Sequence, residues 1–161
     1  MQERQLYPSV ISWFNEKLRN QYKRSEIAVF DTSRVNLWRF LRDQNLHALF
    51  PDYLTYEIRI DITAIIKSKT KAELAFIECK VGEITLRDVS QLLGYSRVAN
   101  PVLSILLSPK SVSRSMHHLL KSYLRYDVLN YAPNRRIRIC LWDQSKKEID
   151  ARHTLPPGEH V

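Results

Sequence analysis

Residues 56–81 read YEIRIDITAIIKSKTKAELAFIECKV, and the patterning of this stretch decides the fold. Tyr56, Ile58, Ile60, Ile62, Ala64 and Ile66 alternate with Glu57, Arg59, Asp61 and Thr63. Side chains on a strand point to opposite faces in turn, so this spacing predicts a strand with one apolar and one polar face. Lys67–Lys71 (KSKTK) is a charged turn. Glu73–Val81 (ELAFIECKV) follows as a second strand, apolar on both faces until Glu78. A strand apolar on both faces belongs in the middle of a sheet that is covered on both sides. The short turn predicts that the two strands pair as an antiparallel hairpin.

Working outward, the apolar residues Leu6, Val10, Trp13, Phe14 and Leu18 recur at helical spacing within Glu3–Tyr22. Glu26–Asp31 reads as a short strand, and Leu37–Phe50 as a helix stopped by Pro51. Beyond the hairpin, Thr85 is placed to cap a helix, with Asp88 three residues on in capping-box position. That helix runs to about Val98 and ends at Asn100-Pro101. Val102–Leu107 is a buried strand, Ser111–Tyr131 a long helix and Arg136–Trp142 an outer strand with a basic face. Residues 1–149 form one α/β domain around a mixed sheet, and residues 150–161 are expected to be a flexible tail.

The residues that carry chemistry are Asp61, Glu78 and Lys80. Glu78 and Lys80 are two apart on one strand and point the same way, and hairpin pairing brings Asp61 beside Glu78. Two carboxylates about 4 Å apart repel by about 4 kcal/mol at an effective dielectric near 20. A divalent cation between them reverses the sign of that cost. Hard oxygen ligands with open positions for water suit Mg²⁺, with Mn²⁺ as a substitute. Lys80 then stands where an amine orients water or stabilises developing negative charge.

Asp61, followed after sixteen residues by Glu78-Cys79-Lys80, resembles the signature of the PD-(D/E)XK nuclease superfamily. The following helix holds Gln91 and Tyr95, similar to the Gln-x-x-x-Tyr element of its RecB-like members. The resemblance covers about residues 1–108, with its specific part in 61–95. It implies a restriction-endonuclease-like αβββαβ core with a mixed central sheet flanked by helices, Mg²⁺ dependence and phosphodiester hydrolysis. It also implies that Asp61 and Glu78 hold the metal, that Gln91 assists, and that an acidic residue of the first helix completes the site. Glu3 is the better match for that acid and Glu16 the poorer. Ile60 stands where the pattern has proline, and residues 34–50 add a helix before the Asp61 strand.

Composition narrows the partners. The chain has 161 residues, a net charge of +8 and a pI near 9.6, with most of the basic excess beyond residue 100. Such a balance favours a polyanion. DNA is the expected partner, with Arg59, Lys110 and Arg114 assigned to backbone contact. A homodimer or a protein partner that supplies specificity also fits the small size. Two alternatives stay open. One is a non-catalytic nucleic-acid-binding or assembly subunit of the same fold. The other is a nuclease acting on RNA or branched DNA. Only three glycines are present, so no glycine-rich phosphate loop exists. His117 and His118 are adjacent and diverge on a helix, and His153 and His160 have no evident partners. Cys79 and Cys140 lie in apolar runs and read as buried free thiols, which suits a reducing cytoplasm. The polar N-terminus is not a secretory signal, and no apolar run approaches a membrane span.

Overall fold

A computed structural model describes residues 1–159 and residue 161. Six strands form one mixed sheet in the order β1-β2-β3-β4-β7-β8. They are β1 (Glu26–Asp31), β2 (Ile62–Lys67), β3 (Ala72–Cys79), β4 (Leu103–Ser108), β7 (Arg138–Asp143) and β8 (Glu148–Leu155). β3, β4 and β7 run parallel to one another, and the other neighbours are antiparallel. A two-stranded ribbon, β5 (Asn130–Ala132) with β6 (Arg135–Arg136), lies outside this sheet.

Each face of the sheet carries its own apolar layer. Helix α1 (Tyr7–Gln21) buries Tyr7, Val10, Phe14 and Leu18 against Ile62, Ala64, Ile77, Cys79 and Ile105. On the other face, α2 (Leu37–Asp43) and α3 (Leu86–Ala99) bury Leu37, Leu41, Val89 and Leu92 with Leu74, Phe76 and Leu106. β3 feeds both layers alternately, as a doubly covered central strand must. The expected capping box on α3 forms between Thr85 and Asp88. The helix ends at Asn100, which takes the left-handed conformation (φ 50°) that a helix C-terminus favours.

Four expectations are corrected. The alternation from Tyr56 does not run through one strand: Ile58 and Ile60 enter one apolar layer, while Ile62 and Ala64 enter the other. The chain bends at Asp61, and residues 56–60 lie outside the sheet. Their carbonyls are satisfied by the start of α2, because Leu37 N–H donates to Ile58 O (2.8 Å) and Trp38 N–H to Tyr56 O (3.2 Å). The first amides of a helix have no partner within it, so they serve the extended segment in place of a strand.

Helix Leu37–Phe50 stops at Asp43 and continues only as isolated turns. The long helix expected over Ser111–Tyr131 is a short α4 (Arg114–His117) that widens into a π turn (His118–Ser122). Burial of Leu129 and Tyr131 under a separate 3₁₀ turn and β5 replaces further helix. Finally, residues 148–155 are no tail: they form β8, which pairs along β7 and makes β7 an interior strand. Thr154 and Leu155 are buried there. His160 lies outside the described residues. Both cysteines are free and buried, and among the described residues no helix is long and apolar enough to cross a membrane.

Candidate active site

The hairpin register places Ile62 opposite Ile77, so Asp61 and Glu78 meet at the next rung. Both are nearly buried, at 9% and 6% exposure. The Asp61 backbone N–H donates to Glu78 Oε2 at 3.4 Å. Lys80 Nζ donates to Glu78 Oε1 at 3.2 Å and lies 3.8 Å from Glu3 Oε1. One amine thus stands between a carboxylate near the N-terminus and one from the middle of the chain.

Asp61 is oriented by two donors that its sequence neighbours do not reveal. The Tyr7 phenol donates to Oδ1 at 2.6 Å, and the Cys79 backbone N–H donates to Oδ2 at 2.9 Å. Thr32, at the end of β1, grips the bend itself. Its N–H donates to Asp61 O (2.9 Å), its hydroxyl donates to Ile60 O (2.6 Å), and it shares a hydrogen bond with the Thr63 hydroxyl (2.8 Å). Every one of these groups is buried, so each bond satisfies a polar atom that water cannot reach.

The 3₁₀ turn Glu3–Gln5 straps the N-terminus across this end of the sheet. Arg4 reaches Asp31 (3.2 Å) and Ser33 (3.1 Å). Pro8 occupies the first turn of α1, where its missing N–H costs nothing, so Tyr7 and Glu3 keep fixed positions relative to the helix.

The electrostatics follow the crowding. Burial, and then the charge of Asp61, push the Glu78 carboxyl up to about 7, with Lys80 and the Asp61 amide pulling the other way. Burial works to lower the Lys80 ammonium pKa, but the carboxylates of Glu78 and Glu3 hold it above its usual value. Burial also raises the Glu3 carboxyl, with Asp61 and Asp88 adding repulsion against the pull of Lys80. Burial and the bond to Asp61 keep the Tyr7 phenol protonated well beyond its usual range.

The expected residues therefore divide. Asp61, Glu78, Lys80 and Glu3 come together. Gln91 is exposed, and its amide donates to the Tyr95 hydroxyl at 3.4 Å rather than to the cluster. Arg59, Lys110 and Arg114 are exposed, and Arg59 does not hold Asp61. Glu16 is exposed, ten residues into α1, and takes no part in the cluster. Tyr7 and Thr32 escaped the sequence reading because a Tyr at an apolar helix position and a Thr after a strand carry no spacing signal.

Among the described residues, no group of three or more His, Cys, Asp or Glu side chains converges as a metal cage. Asp61 and Glu78 still offer hard oxygens with unfilled lone pairs, the donor chemistry of a Mg²⁺ site that keeps several waters. The chain matches no family model, no curated protein and no solved structure.

Proposed function

We propose that this chain is a metal-dependent nuclease of restriction-endonuclease-like fold that hydrolyses phosphodiester bonds in DNA. The observation that carries the reading is the pairing of two nearly buried carboxylates, Asp61 and Glu78, with the single amine Lys80. Burying like charges side by side lowers stability unless a task demands it. The element order α1-β1-α2-β2-β3-α3-β4, with β1 to β4 adjacent in the sheet, supports an αβββαβ core with α2 inserted between its first two strands.

In this reading Asp61 and Glu78 hold Mg²⁺ or Mn²⁺, with Glu3 close by through Lys80. A divalent cation held by these carboxylates would supply Lewis acidity toward water and the phosphate. Lys80 orients the attacking water and offsets the negative charge that builds on the phosphoryl oxygens. The water oxygen bonds to phosphorus as the ester P–O bond breaks; the attacking water gives up one proton to solvent and the departing oxygen takes one up from solvent, so that one water is split across the ester. Tyr7 and the Cys79 amide hold Asp61 in one orientation through this sequence.

A second reading has its own observation. Both oxygens of Asp61 and both oxygens of Glu78 already accept hydrogen bonds within the chain. A site so satisfied also suits a non-catalytic nucleic-acid-binding subunit. The test is a cleavage panel of supercoiled plasmid, linear duplex, single-stranded circle, four-way junction and RNA, with Mg²⁺, Mn²⁺ or EDTA. Metal-dependent cutting by the wild type and none by Glu78→Ala supports the nuclease. DNA binding without cutting on any substrate moves the assignment to the binding subunit.

A further inference from the structure

From Val89 to Trp142 the chain carries eight Lys and Arg residues against one acid, Asp127. Asp127 is itself clasped by Arg125 at 2.8 and 3.0 Å. Lys110, Arg114 and Lys121 are exposed and form no ion pair among the described residues. All three lie on or beside α4.

That helix is tied to the candidate site. Ser108 Oγ donates to Gly82 O (2.7 Å), Ser113 N–H donates to Ile84 O (2.8 Å), and Ile84 bridges Val112. The loop that leaves Lys80 is thereby stitched to the start of α4.

At its far end the helix displays Tyr123 and Leu124, 73% and 70% exposed. Leu124 has φ +56°, the left-handed conformation that helix ends give to glycine or asparagine. Three of the other four non-glycine residues with positive φ are asparagines, and the fourth is Lys147. A bulky apolar side chain is thus held out in a backbone state that disfavours it, next to Tyr123 and three residues past Lys121, which forms no ion pair among the described residues.

We propose that this tip is the contact for unpaired bases in DNA. Arg114 and Lys121 track the phosphates leading away from the site, and the Tyr123 ring and Leu124 side chain pack against unstacked base faces. A polyanion answers the charge, and an exposed base face answers the ring, which every base offers regardless of sequence. Wedging of an apolar side chain at a distorted step is the other established use of such a residue. The inference deepens the nuclease reading, on which it rests for the identity of the polymer, and it assigns DNA with unpaired nucleotides as the preferred substrate class.

The test is fluorescence anisotropy in EDTA, where no metal-dependent cutting occurs. The probes are labelled (dT)₂₀, a 20-base-pair duplex, and the same duplex with a three-nucleotide bulge. The wild type is expected to bind (dT)₂₀ and the bulged duplex at least tenfold more tightly than the perfect duplex. Stacking of one base is worth roughly 5- to 150-fold. Tyr123→Ser with Leu124→Gly removes that preference and leaves salt-dependent duplex binding in place. Glycine suits the left-handed position, so the variant keeps its fold, and circular dichroism verifies it. Equal affinity of the wild type for all three probes overturns the proposal, as does a preference that survives in the folded double variant. Loss of binding to phosphatidylserine vesicles with DNA binding unchanged also overturns it. Glu78→Ala keeps the preference, so failure of the cleavage panel and failure of this inference give different results.

Discussion

The Tyr7 hydroxyl donates a 2.6 Å hydrogen bond to Asp61 across 54 residues of sequence. The first residue of α1 is therefore part of the carboxylate's immediate surroundings. Tyr7→Phe keeps the ring and removes the donor. The variant is expected to lose about 1.5–3 kcal/mol of stability, the usual worth of a hydrogen bond to a charged group. It is also expected to bind Mn²⁺ more weakly, because Asp61 is then steered only by the Cys79 amide. Urea unfolding and a Mn²⁺ titration followed by electron paramagnetic resonance read the two effects separately.

Asp61 and Glu78 differ in what their removal does to the fold. Asp61→Ala leaves the Tyr7 phenol and the Cys79 amide buried without acceptors, which costs about 1–3 kcal/mol for each unsatisfied group. Glu78→Ala removes one of two crowded carboxylates and relieves repulsion. Both variants are expected to be inactive in cleavage, but only Asp61→Ala is expected to melt clearly below the wild type. Equal melting temperatures in a thermal scan would contradict the geometry.

Stability of the metal-free protein depends on pH through Glu78. Its carboxyl is near 7 in the folded chain, against an ordinary value of 4.5. Between those two values the folded state holds a proton that the unfolded chain has lost, so stability falls as pH rises through that window. Urea midpoints taken from pH 5 to pH 8 should decline, and Glu78→Gln should flatten the decline. Added Mg²⁺ or Mn²⁺ should raise the melting temperature more at pH 8 than at pH 5, because a cation favours the ionised carboxylate.

Thr32 holds the bend that aims Asp61. Thr32→Val preserves volume while removing the hydroxyl that bonds Ile60 O and Thr63. The expected cost is about 1–3 kcal/mol for the carbonyl left without its donor. Cleavage is expected to fall as well, because the bend before Asp61 loses its tie at Ile60 O, although the backbone N–H of residue 32 still holds Asp61 O. Urea unfolding and plasmid nicking measured on one preparation check both outcomes.

Much of the sheet was legible because burial imposes a period on strands. Glu26–Asp31 and the Lys67–Lys71 turn are where the pattern puts them, and the double-sided apolar character of β3 marks its central place. The register that sets Asp61 beside Glu78 follows from the turn length alone. Residues 56–60 misled because apolar residues two apart look the same whether the chain continues straight or bends into the opposite layer. β8 was missed because Glu148–Leu155 (EIDARHTL) lies on an edge, with exposed and half-buried residues until Thr154. Edge strands carry polar side chains as protection, which erases the alternation used to find them. Within the site, the carboxylates and Lys80 announced themselves by spacing, whereas Tyr7 and Thr32 act through single hydrogen bonds that no local pattern encodes.

The contacts that aim Asp61 arrive from widely separated parts of the chain: Tyr7 at the start of α1, Thr32 just past β1, and Cys79 at the end of β3. Contacts so distant in sequence form only when the loops between them have closed. A hairpin of β2 and β3 on its own would carry Asp61, Glu78 and Lys80 without the groups that orient them. The cluster therefore takes its final geometry only when the tertiary fold is complete. Docking of α1 and pairing of β1 with β2 bring Tyr7 and Thr32 to Asp61, and local opening of either element releases the carboxylate from one of its partners.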